Sequence, residues 1–76
     1  MHIAYGKLFV STGNNGIDVY YINKSTMTIT KIDNLLNEIF SYTHFSQIDI
    51  VQVKFANTYM FVIDKLNGVF RYKYYD

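Results

Sequence analysis

The stretch Thr12-Gly13-Asn14-Asn15-Gly16 is glycine-rich and follows an apolar segment, an arrangement that suggests phosphate binding. A phosphate loop needs a helix behind it, because the helix N-terminus supplies the N–H groups and dipole that hold the anion. Here Ile17-Asp18-Val19-Tyr20-Tyr21-Ile22 follows, which is a strand pattern, so the stretch reads as a hairpin turn. His2 and His44 are the only histidines and cysteine is absent. No paired ligand spacing exists, so no metal site is expected and both rings read as solvated. Asp18, Asp49 and Asp64 lack the close spacing that builds an oxygen cage for Ca²⁺, and Asp64 beside a turn reads as an Asx-type acceptor. Ser11, Ser25, Ser41 and Ser46 carry no nucleophile-elbow glycine pattern. No catalytic residue and no cofactor is therefore assigned, and the chain does not read as an enzyme.

Two further stretches have chemical potential. Arg71-Tyr72-Lys73-Tyr74-Tyr75 interleaves cations with rings, the combination that binds single-stranded nucleic acid by phosphate pairing and base stacking. The same alternation also describes a strand with one solvated basic face and one buried aromatic face. A net charge of +1 favours the second reading, so no nucleic acid is expected. The four residues Arg71, Tyr72, Lys73 and Tyr74 remain the candidate interaction surface. Asn23-Lys24-Ser25 is a glycosylation sequon in a polar turn, relevant only to a secreted protein.

The elements that carry these residues are strands. Of the 76 residues, 35 are Ile, Val, Thr, Phe or Tyr, which fill pleated surfaces well, and proline is absent. A chain this short hides only about 60% of its unfolded surface and is marginal alone. Strands are expected at about 3–5, 8–11, 17–22 and 27–32, then at about 48–55, 59–63 and 69–75. The strand 17–22 is apolar on both faces except for Asp18, as suits the middle of a covered sheet. The strand 27–32 turns Met27, Ile29 and Ile32 inward and the threonines outward. Between the two sets, Leu35, Leu36, Ile39 and Phe40 recur at helical spacing behind Asp33, a possible N-cap. That predicts either a short helix over 34–42 or a long loop with apolar anchors. The longest unbroken apolar run is the five residues 59–63, too short to span a bilayer as a helix.

Asn15-Gly16 is a strong hairpin signal, since both residues tolerate the positive φ of a primed turn. It recurs as Asn67-Gly68. Sliding the chain by 52 residues brings Ala4, Phe9, Val10, Asn15, Gly16 and Tyr20 onto Ala56, Phe61, Val62, Asn67, Gly68 and Tyr72 without a gap. Two copies of strand–turn–strand, separated by an outer strand and a connector, have the layout of consecutive β-propeller blades, whose repeats run about 40 to 50 residues.

Residues 7–23 resemble the LVIVD-repeat pattern, in which an apolar strand of the type Y-V-A-D precedes a glycine turn and then G-L-x-I-x-D-I-S. In the second copy Asp49 to Phe55 is similar to the D-V-x-V strand. Asn57-Thr58-Tyr59 is similar to G-N-Y, Phe61-Val62-Ile63-Asp64 to Y-V-A-D, and Gly68-Val69 to G-L. The resemblance spans about 3–33 and 48–76. It departs where the Asp that follows the third strand is replaced by Tyr21 and Lys73. It implies a structural or protein-binding role without a catalytic site, commonly on surface-exposed or secreted proteins.

The expected organisation is thus all-β: a first blade over 1–33, a connector over 34–47, and a second, incomplete blade over 48–76. The alternative is a self-contained α+β module of order βββαβββ. Fewer than about three repeats rarely hold together alone. The expected partner is therefore protein: the rest of a longer chain, further copies, or a complex.

Overall fold

A computed structural model describes residues 1–74. Seven strands form two antiparallel meander sheets. The first contains β1 (His2–Ala4), β2 (Lys7–Ser11), β3 (Ile17–Asn23) and β4 (Thr28–Asn34), paired in chain order. Helix α1 (Leu36–Thr43) follows. The second sheet contains β5 (Ile50–Ala56), β6 (Tyr59–Asp64) and β7 (Gly68–Lys73). Four strands precede the helix, not the three of the α+β alternative. Tyr75, expected at the end of the last strand, lies outside the described residues.

The hairpins of the two sheets have the same pairing register. The β1–β2 pairs His2↔Phe9, Ile3↔Leu8 and Ala4↔Lys7 become Lys54↔Phe61, Phe55↔Met60 and Ala56↔Tyr59 on adding 52. The five β2–β3 pairs, from Lys7↔Tyr21 to Ser11↔Ile17, likewise become Tyr59↔Lys73 to Ile63↔Val69.

Primed-turn geometry falls elsewhere than expected. Among the described residues, Gly16 (φ 82°) and Gly68 (φ 90°) are left-handed, whereas Asn15 and Asn67 are not. More than two residues separate the closing pairs Ser11↔Ile17 and Asp64↔Gly68, so the chain reverses through left-handed glycines, Gly13 and Gly16 in the first loop and Gly68 at the start of β7 in the second. The two-residue primed turn is instead Tyr5-Gly6, with φ of 54° and 69°, between the paired Ala4 and Lys7. Gly16 is also hemmed in: a Cβ there would lie 2.9 Å from the Leu36 Cα, while one at Gly68 would meet open space.

The helix starts two residues later than predicted. Asp33 and Asn34 still pair with Val19 and Asp18 of β3, which withholds them from the helix. Leu35 takes the N-cap position without a side-chain cap, and Asn34 Oδ1 accepts the Leu36 N–H at 2.9 Å instead. The helix ends at His44, left-handed at φ 61°, whose N–H donates to the Phe40 carbonyl. Ile48, expected to open a strand, is buried in the connector ahead of β5.

A single buried cluster joins the sheets. Phe9, Ile17 and Val19 of the first sheet meet Val53, Met60 and Val62 of the second, with Leu35 and Ile39 from the helix segment. The sheets are closest where β1 and β2 meet β5. Toward β7 the helix region fills the gap, with Tyr42 edge-on to Tyr72 and Phe45 edge-on to Phe70. Strand β4 lies beyond this core. Met27, Ile29 and Ile32, expected to face inward, are all exposed, and so is Tyr21 of β3. Ile29 pairs with Ile22 and so lies on the outer face of the sheet with Leu8 and Tyr20, while Tyr21 lies on the inner face beyond the reach of the second sheet.

Candidate functional site

The last strand does not bring its four candidate residues to one surface. Pleating sends Arg71 and Lys73 to the outer face and Tyr72 and Tyr74 to the inner one. The Arg71 guanidinium lies 4.3 Å from the centre of the Tyr59 ring. Tyr74 joins an aromatic cluster with Phe9, Phe55 and Tyr5, and Lys7 lies over its ring. Tyr72 borders a shallow recess with Asn37, Glu38, Ser41 and Tyr42. Burial, reinforced by the negative field of Glu38, raises its phenol above the ordinary value, so the ring stays neutral.

The two Asn-Gly turns are held by different chemistry. In the first, Thr12 Oγ1 donates to the Gly16 carbonyl at 2.8 Å, and Asn34 Nδ2 donates to the Asn15 carbonyl and to Asp18 Oδ1. Lys31 completes this cluster with an ion pair to Asp18 at 3.2 Å. In the second turn, Asp64 Oδ1 accepts the N–H groups of Asp49, Leu66 and Asn67. Asn67 Nδ2 donates to Asp64 Oδ2 and to the Gln47 carbonyl. Burial alone would push the Asp64 carboxyl up. The Asn67 amide and the three backbone donors outweigh it and hold the group below the ordinary carboxylate value. Asp64 is therefore the turn acceptor its position suggested.

A cleft of about 660 Å³ opens between these turns and the connector, lined by Thr12, Asn14, Gln47, Asp49 and Leu66 among others. It holds one carboxylate and no general base to pair with it. Asp18, Asp49 and Asp64 do not converge, and among the described residues no group of three His, Cys, Asp or Glu could hold a metal. Nor is any helix there long and apolar enough to cross a membrane. His2 departs from expectation. Its ring stacks on Phe55 at 5.6 Å and its Nε2 accepts the Phe55 N–H at 3.4 Å, so it is part of the sheet-to-sheet contact. His44 is exposed at the helix end. Asn23, the sequon residue, accepts the N–H groups of Ser25 and Thr26 in its turn.

What the molecule offers most plainly is two sheet faces. Polar ties lock the inner faces together: Tyr5 Oη to the Asn57 carbonyl at 2.9 Å, Ser11 Oγ to the Val51 carbonyl at 3.2 Å, and a two-way Gly13–Ile50 bridge at 3.0 Å. The faces used are opposite ones. Phe9 is fully buried, yet its counterpart Phe61, 52 residues on, is 39% exposed. Val19 is buried and its counterpart Arg71 is exposed, whereas half-buried Leu8 and Val10 correspond to fully buried Met60 and Val62. The first sheet thus buries the face that the second turns outward. Ile3, Leu8, Val10, Tyr20, Ile22 and Ile29 form the outer face of the first sheet. Tyr59, Phe61, Ile63 and Val69, with Gln52, Lys54, Arg71 and Lys73, form that of the second. Alternation alone gave no warning of this inversion; the signal lay in comparing the same position across the 52-residue shift.

No protein-family model, no curated protein and no solved structure matches the chain.

Proposed function

We propose that the chain is a non-catalytic structural segment of a β-propeller-like assembly, with its two sheets acting as consecutive blade units that bind protein. The observation that supports this reading most is the shared register at a 52-residue shift combined with opposite buried faces. A two-fold sandwich would bury the same face of both copies. Blades stack like steps, each using its front against the back of the next. The helix region fills the widening side of the wedge between the sheets, much as an outer filler between diverging blades would. The LVIVD-like turns agree with this reading, and an exposed or secreted setting follows only from that likeness.

A second reading, a self-contained α+β module, draws support from Ile39 and Leu35, which tie the helix into one continuous core. The two separate in a tandem experiment. Two and three copies of the chain are joined by flexible linkers long enough to let any sheet reach any other. Stacking units gain melting temperature with each copy and unfold together, because every junction buries another pair of faces. Tandems that melt at the temperature of the single chain, as independent beads, contradict the blade reading.

A further inference from the structure

Resting on that blade reading, we infer that the outer face of the second sheet docks on the outer face of the first sheet in another copy of this chain, head to tail. The interface inside the chain is the template. It joins one face of the first hairpin to the reverse face of the second, and its two unused halves are the open faces just described. A second copy continues the existing stack without any new kind of contact. Such contacts are heterologous, and they repeat from copy to copy until the ring closes or a filament grows.

The 52-residue shift names the contacts. Within the chain, Phe9 meets Phe55 at 4.7 Å and Tyr74 at 5.1 Å between ring centres. Moving Phe9 forward by 52 gives Phe61, and moving Phe55 and Tyr74 back by 52 gives Ile3 and Ile22. Phe61 of one copy therefore sits over Ile3 and Ile22 of the next. The exposures agree: Ile3 is 65% exposed on the first-sheet face, and Phe61 and Val69 are 39% and 66% exposed on the second-sheet face. Charge selects the pairing. Lys54 and Arg71 both project from the second-sheet face, so two such faces repel, while on the first-sheet face Lys31 is already neutralised by its ion pair with Asp18.

Single-cysteine variants of the full chain test this, since cysteine is otherwise absent. Ile3→Cys and Phe61→Cys are oxidised separately and as a mixture, and sedimentation velocity of the unmodified chain gives its size. The expected result is a mixed Ile3→Cys/Phe61→Cys disulfide that forms at least about tenfold faster than either same-site dimer, with species larger than a monomer in the unmodified chain. Same-site links that dominate, or a monomer at every concentration, overturn head-to-tail docking of free copies. The tandem experiment then tells the two failures apart. Tandems that stack while free chains stay monomeric leave the blade reading standing, and tandems that do not stack remove both.

Discussion

Phe9→Ala is expected to leave a large part of the chain unfolded at 25 °C. Phe9 is fully buried and, with Tyr5, links the first sheet to the Phe55 and Tyr74 rings of the second. Truncating a buried phenylalanine costs about 3–5 kcal/mol, from lost transfer energy and the cavity left behind. Net stability runs at about 0.05–0.15 kcal/mol per residue, and a chain this short that hides little of its surface sits at the lower end, about 4 kcal/mol, which the loss consumes. Urea titration followed by near-ultraviolet circular dichroism measures the loss. A shift below about 1 kcal/mol would mean that the sheets do not depend on this contact.

Asp64→Asn is the second large effect, and it carries a pH signature. Asp64 is 2% exposed, and its carboxylate accepts three backbone N–H groups and the Asn67 amide. Asparagine turns one acceptor oxygen into a donor facing the Asn67 Nδ2, so two donors meet in a buried site. The expected cost is about 2–3 kcal/mol at pH 7. The folded-state pKa lies below the unfolded value of about 3.9, so the contribution is fully present above that value. It fades as pH falls through the lowered folded pKa, where the native carboxylate takes up its proton. Unfolding curves between pH 7 and pH 2 should therefore show a gap between wild type and variant that narrows in the acid range. A gap of constant size would assign the loss to shape rather than charge.

Much of the architecture could be read from residue order. The strand alternation, the paired turns and the helical spacing of Leu35, Leu36, Ile39 and Phe40 each mark an element that is present. Boundaries slipped where tertiary pairing decided them: Asn34 looks like a helix residue but is held in β4 by Asp18. The Asn-Gly dipeptides marked the right loops with the wrong turn type, because loop length, rather than the dipeptide, set which residue became left-handed. Tyr5 gave no sign of adopting φ 54°, since its Oη bond to Asn57 and its contacts with Phe55 and Tyr74 form only across the sheets. The candidate surface on β7 was legible as alternation, yet which of its faces would be covered depended on where the first sheet lay. Ile3 and Phe61 were invisible as candidates for the same reason.

Phe61→Ala tests the central claim most directly, because Phe61 is the counterpart of Phe9 with the opposite fate. Sedimentation equilibrium and urea unfolding are run on the same preparations of wild type and variant. The account predicts an unfolding free energy, measured at dilute concentration, within about 1 kcal/mol of wild type, together with at least a tenfold loss of self-association. A variant that unfolds as readily as Phe9→Ala, or that associates as well as wild type, would contradict it.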